Sequence, residues 1–230
     1  MERTAIVTGG TGGLGAAVVS RLLDDGWRVI VPWVAERELD RVRRRDGLEL
    51  IEADLSDRSA VEAVVGLAAG ADGAPLRGLV NLVGGFAVGG RVHETDIDEF
   101  EKQFRLNVRP TYLMTQAVVP HMIDSGGGSI VCVGTRAALE PFPGAAGYVA
   151  SKAAVIAFAR AVAVEYKNDG VRCNAVLPSV IDTPANRAAM PDADHERWVK
   201  PAAIAGVIAH LLSDDSEPTS GAAVPVYGRA

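Results

Sequence analysis

The sequence predicts an α/β fold, a single doubly wound domain with a mostly parallel seven-stranded sheet and helices on both faces, and three observations predict it. Seven short apolar runs alternate with helical segments along all 230 residues. Most of these runs lack polar alternation, as parallel strands covered on both faces do. No internal repeat or long linker interrupts them, so residues 1–230 are expected to form one domain, long enough to bury most of its apolar surface.

The first strand is expected over residues 4–8 (TAIVT). The glycine turn GGTGGLG follows and opens into AAVVSRLL, so a helix is expected over 13–25. Residues 28–31 form the second strand and 36–45 the helix after it, with the basic cluster 41–45 facing solvent, balanced by Glu36, Glu38 and Asp40. Strands over 48–53, 78–82, 129–133, 171–177 and 223–226 complete the sheet. Further helices are expected over 58–69, capped by Ser56 or Asp57, over 96–123 as one long element, and over 147–166 and 201–212. Right-handed crossovers put the ligand crevice of such a sheet at the carboxyl ends of its strands. Two stretches break the alternation, GGFAVGGRVHETD after the fourth strand and TPANRAAMPDADHERWVKP after the sixth. The second is expected to be a short substrate lid around residues 185–200.

A formal net charge of -6 and a pI near 5.3 provide no basic field for nucleic acid or an anionic membrane, so neither is an expected partner. The chain enters a strand within a few residues and no apolar run reaches membrane-spanning length, which makes the cytoplasm the expected compartment. Cys132 and Cys173 lie in apolar strand-like runs and read as reduced core thiols. His93, His121, His195 and His210 are scattered without a ligand spacing, so no metal is expected.

Two motifs carry chemistry. In the first turn, Gly10, Gly12 and Gly15 fit G-x-G-x-x-G, while Thr8, Gly9, Gly13 and Gly15 fit T-G-x-x-x-G-x-G. Both let the backbone approach a pyrophosphate at a helix N-terminus, where unpaired N–H groups and the helix dipole favour an anion. In YVASK, Tyr148 and Lys152 are four residues apart and share a helical face. An ammonium one turn away favours phenolate over phenol, so the Tyr148 pKa is expected to fall from its reference of about 10 and make this residue an acid/base group.

In order along the chain these motifs resemble the short-chain dehydrogenase/reductase family, over nearly the whole length. The resemblance extends to Asp54 in EADLSD, Asn107 in LNVRP, and Pro178, Ser179 and Thr183 where the family carries P-G-x-x-x-T. It implies a Rossmann-type fold and an NAD(P)-dependent oxidoreductase that transfers hydride between a nicotinamide and a carbonyl/alcohol or quinonoid small molecule, with Tyr148 as acid/base. Lys152 would also hold the nicotinamide ribose, and Asn107 would help position a water linking Lys152 to solvent. Cofactor contacts are implied for Thr8, Gly9, Gly10, Thr11, Gly12, Gly13, Leu14, Gly15, Trp33, Arg37, Asp54, Leu55, Val83, Gly84, Tyr148, Lys152, Pro178, Val180 and Thr183, with Asp54 on the adenine. A homodimer or homotetramer is implied as well, through helices 96–123 and 147–166.

The chain departs from the family in two places. Thr135 stands where the family carries a serine, which keeps the hydroxyl and adds a methyl that stiffens χ1. Trp33 stands where NAD users carry an acid at the end of the second strand, and an indole accepts no hydrogen bond from a ribose. Gly12 also replaces the basic residue that NADP users often carry inside the turn. Arg37 could reach a 2′-phosphate and Glu36 a 2′-hydroxyl, which leaves a slight lean to NADP. A narrower resemblance, around LPSVIDTPANRAAMPDADHERW and VGTRAALEPFPGAAGY, is to dihydropteridine reductase and hints at a flat, quinonoid substrate. The alternative from another class is a non-catalytic dinucleotide-binding redox sensor on the same fold.

Overall fold

The computed structural model describes residues 2–71 and 73–229. Its strands are β1 (Thr4–Thr8), β2 (Arg28–Trp33), β3 (Leu48–Glu52), β4 (Leu76–Asn81), β5 (Gly128–Val133), β6 (Val171–Pro178) and β7 (Ala223–Val226). They form one sheet in the order β3-β2-β1-β4-β5-β6-β7, and every pairing is parallel. The chain winds outward from β1 to β3, then crosses back to place β4 on the other side of β1. The crevice between β1 and β4 is the switch point at which α/β sheets bind ligands.

The helices are α1 (Gly13–Asp24), α2 (Arg58–Ala69), α3 (Ile97–Asn107), α4 (Arg109–Asp124), α5 (Ala146–Glu165), α6 (Pro184–Ala189) and α7 (Pro201–Leu212). α1 and α7 cover one face, with Ala5, Val7, Val131 and Val176 of the strands packed into their cluster. α2, α4 and α5 cover the other face, which receives Ile6, Leu79, Ile130 and Cys132. Neighbouring residues of one strand thus enter opposite cores, which explains the continuous apolar runs. Each fully buried Val, Ile or Leu stabilises the fold by about 1.5–3 kcal/mol.

Three segments differ from the sequence expectation. The single helix expected over 96–123 is two, broken at Val108. Pro110 has no N–H to donate back to the Leu106 carbonyl, so the ladder is interrupted there, and the proline sits instead in the first turn of α4, where an N–H is not needed. Asn107 therefore ends α3 at a corner. The helix expected over 36–45 is only a 3₁₀ turn, Glu36–Arg41, with no buried residue. RVRRR docks only Val42 in the core and offers no helical stripe, and its cations find partners singly, Arg41 on Glu38 and Arg45 on Asp24. β2 runs two residues past its expected end, through Pro32. This is tolerated because pairing with β1 ends at Ile30, so the missing N–H costs no bond on that side.

By length and composition, Ala146–Glu165 could cross a membrane, against the expectation that no run is long enough. Here it is the crossover helix α5, packed on β5, β6 and α3. Cys132 and Cys173 are buried free thiols.

Candidate active site

A crevice of about 790 Å³ opens at the carboxyl ends of the strands. Its walls include the glycine turn, Gly84 and Phe86 after β4, Thr135 after β5, Tyr148 and Lys152 on α5, and Pro178 to Ile181 after β6. A larger cavity of about 1110 Å³ lies at the opposite ends of the strands, beside Arg77 and Arg172. Those arginines already donate to the Ser125 and Leu211 carbonyls, and none of the motifs reaches that cavity.

The glycine turn fits an anionic group. Gly12 caps α1 without a side-chain hydrogen bond, so the first N–H groups of the helix have no protein cap and border the crevice at Gly13, Leu14 and Gly15. Gly15 is forced by close packing, since a Cβ there would lie 2.0 Å from the Gly9 carbonyl oxygen. The other positions of the turn have internal duties. Thr8 is buried, and its hydroxyl accepts from the Leu82 and Val83 N–H groups at 3.0 and 3.2 Å, tying β1 to the end of β4. Gly10 faces Val31 rather than the crevice. Thr11 donates to Glu38 Oε2 at 3.0 Å.

Tyr148 lines the crevice on the first turns of α5. Lys152, one turn on, is 7% exposed and donates from Nζ to the Val133 carbonyl at 2.9 Å. Burial lowers its pKa to about 8, and the nearby Cys132 sulfur opposes that shift. The Tyr148 phenol does not behave as the sequence suggested. Burial pushes its pKa up, and only a hydrogen bond with Thr135 works in the other direction. The ammonium that was to hold the phenol acidic is spent on Val133, so the expected acidification is absent in the free protein.

Asn107 is fully buried at the α3–α4 corner. Its Oδ1 accepts from the Gly85 N–H at 2.9 Å and its Nδ2 donates to Ser151 Oγ at 3.0 Å, while Ser151 Oγ donates to the Tyr148 carbonyl at 2.8 Å. Asn107 thereby joins the loop after β4 to the turn of α5 that carries Tyr148. Gly84 is confined between the two, because a Cβ there would lie 2.5 Å from Asn107 Oδ1 and 3.1 Å from Lys152 Nζ. Thr183 caps α6 by accepting from the Asn186 N–H, and its methyl packs on Gly13.

Other expected cofactor positions fall outside the crevice lining. Leu55 is a core residue, 5% exposed, so its side chain is not available to a ligand. Val83 packs against the same core, with its N–H held by Thr8. Asp54 is exposed, and its carboxylate accepts from the Ser56 N–H, which holds its pKa down; Asp57 is the cap of α2. Trp33 is half-buried at the end of β2. Arg37, on which the lean to NADP rests, is exposed and has no polar partner among the described residues. The group that meets the glycine turn is Glu38.

The chain from residue 3 to 194 matches the family model described as short chain dehydrogenase. The chain belongs to the short-chain dehydrogenase/reductase family. It is an NAD(P)-dependent oxidoreductase of that class. Among curated relatives, 2-(R)-hydroxypropyl-CoM dehydrogenase of Xanthobacter autotrophicus is 33% identical over 99% of this chain and 98% of its own. Among solved structures, 3-ketoacyl-(acyl-carrier-protein) reductase of Brucella melitensis, complexed with NADH, is 28% identical with a TM-score of 0.88, covering 99% of this chain and 98% of that one. ElxO with NADP bound has a TM-score of 0.90 over 99% of this chain and 98% of its own; at 23% identity it shares the fold.

Several crevice residues lie outside the sequence motifs, although Asn186 and Met190 fall within the stretch expected to form a lid. Phe86 meets Tyr148 edge-on at 5.0 Å and Phe142 at 6.3 Å, making an aromatic wall in the crevice. Arg136 pairs with Glu140 at 2.7 Å and lies over the Tyr227 ring. Asn186 and Met190 border the crevice from α6 and the residue after it. Phe86 sits in a glycine-rich stretch whose composition marks a loop but not its direction, and only Ser151, three residues after Tyr148 on α5, could have been sought from helical spacing.

Proposed function

We propose that the chain transfers hydride between a nicotinamide and the carbonyl carbon of a small ketone, aldehyde or quinonoid molecule, or in reverse the carbinol carbon of an alcohol, with Tyr148 as the acid/base. The observation that carries this reading is that Tyr148, Thr135 and Lys152 border one crevice together with the uncapped start of α1. A bound nicotinamide supplies or takes the hydride. In reduction, Tyr148 Oη gives its proton to the carbonyl oxygen as negative charge gathers there, and the hydroxyl of Thr135 donates a second hydrogen bond to that oxygen. Burial holds the phenol protonated at neutral pH, which suits it to donate. Lys152 and the glycine turn hold the dinucleotide, with Pro178, Val180 and Thr183 on its nicotinamide side. Asn107 fixes the backbone of Tyr148 through Ser151.

The aromatic wall of Phe86 and Phe142 favours a flat, ring-bearing substrate. Residues 185–200 act as the lid: Ile181 and Val199 bridge at its base, while Asn186 and Met190 face the crevice. We place the protein in the cytoplasm, where its two buried thiols stay reduced. It assembles as a homodimer or homotetramer through α4 and α5, where Tyr112 is 48% exposed and packs at a tilt against Phe158. Light scattering should then report two or four times 24.0 kDa; a mass of one chain would refute the assembly.

The function is tested by oxidation of reduced cofactor with a panel of aryl ketones, quinones and a quinonoid dihydropterin. A protein that binds dinucleotide yet oxidises it with no member of the panel is the redox sensor instead. Thr135→Ala is expected to lower turnover about 10- to 1000-fold, with Thr135→Ser near wild type. Unchanged turnover in Thr135→Ala would reduce Thr135 to a packing residue.

A further inference from the structure

We infer that Glu38, from the 3₁₀ turn after β2, selects NADH over NADPH, reversing the lean that Arg37 suggested. The inference rests on the dinucleotide reading of the crevice and deepens it.

The strand end itself offers no selector. Trp33 closes β2 with a side chain that donates one N–H and accepts nothing. After Ala35 the chain turns through Glu36–Arg41 and returns a carboxylate to the glycine turn, with Glu38 Oε2 3.0 Å from Thr11 Oγ1. Thr11 lies between Gly10, which packs on Val31 of β2, and Gly12, which caps α1. The carboxylate therefore sits between the phosphate-binding helix start and the end of β2. That is the interval in which dinucleotide folds place the adenosine ribose, and in which an acid roughly 20 residues beyond the glycines accepts from the 2′-hydroxyl. A carboxylate has about four lone-pair sites, so the Thr11 hydroxyl leaves acceptor capacity for a ribose.

Of the neighbouring cations, Arg37 stands exposed in solvent, where its charge is screened. Arg41 Nη1 is engaged on the other oxygen of Glu38 at 3.1 Å, and Arg45 on Asp24 at 2.7 Å. The Glu38 side chain is 31% exposed, so its charge is less screened at contact than those of the exposed arginines. A 2′-phosphate brought beside the turn meets the carboxylate oxygens of Glu38, which only accept, so that it must disrupt the Arg41 pair to gain a donor, whereas a 2′-hydroxyl can donate to them directly. Repulsion of the wrong ligand is as effective a source of selectivity as attraction of the right one.

The test is equilibrium binding of NADH and NADPH to the full chain by calorimetry, which needs no substrate. Wild type is expected to bind NADH about 10- to 100-fold more tightly than NADPH. Glu38→Gln, which keeps size and hydrogen bonding but removes the charge, should tighten NADPH about tenfold and bring the two affinities within about threefold. Equal or tighter NADPH binding by the wild type overturns the inference, whether or not the variant folds. So does a Glu38→Gln protein with the wild-type ratio. If neither nucleotide binds, the cofactor reading itself has failed.

Discussion

Tyr148→Phe is expected to lower kcat for carbonyl reduction about 100- to 10,000-fold while leaving NADH affinity within about threefold, as measured by turnover and by calorimetry on one preparation. The ring stays, so the edge-on contact with Phe86 at 5.0 Å and the packing of α5 survive, and only the proton donor is lost. The pH dependence follows from the direction of the phenol's shift. Burial raises the Tyr148 pKa, so reduction, which needs the protonated phenol, should hold through neutral pH and fall only in alkali. Alcohol oxidation needs the phenolate and should climb over the same alkaline range. A Tyr148→Phe protein that keeps wild-type turnover would remove this residue from the chemistry.

Lys152→Met should cut turnover about 100-fold yet leave the ligand-free fold more stable at pH 7 than the wild type. Two effects compete. The Lys152 pKa falls from 10.5 to about 8 in the folded chain, so the unfolded chain binds more protons between those values. Below about pH 8 the folded state carries the whole cost of the buried charge. The cost is relieved as pH rises from about 8 to 10.5, and the gap corresponds to about 3 kcal/mol. Against this, methionine leaves the Val133 carbonyl unpaired, which costs about 1–3 kcal/mol. Methionine of similar length should therefore stabilise the protein by about 1 kcal/mol at pH 7 and lose that advantage near pH 10. Urea unfolding of both proteins at the two pH values measures the difference. A variant less stable than wild type at pH 7, with no change in the gap at pH 10, would show that the buried ammonium is not a source of strain.

How much of this was legible in sequence depended on whether a feature is local. TAIVT, GGTGGLG and YVASK each contain within a few residues all that decides their local shape, and β1, the start of α1 and the Tyr148–Lys152 face follow from them. The Pro110 break was also present as letters, but the apolar periodicity on either side of it masked the corner that positions Asn107. The helix expected from ERELDRVRRR failed because the segment docks only a single apolar side chain, Val42, in the core and so has no helical stripe to bury.

From sequence alone came the family, the alternating parallel fold and the residues able to hold a dinucleotide and move a proton, because period, glycine spacing and helical spacing are properties of neighbours along the chain. Tertiary structure decided where Lys152 spends its hydrogen bond, that burial raises rather than lowers the Tyr148 phenol, and that Glu38 rather than Arg37 or Trp33 reaches the glycine turn. Those outcomes depend on desolvation and on contacts between strands far apart in the sequence, and neither quantity exists until the chain has folded.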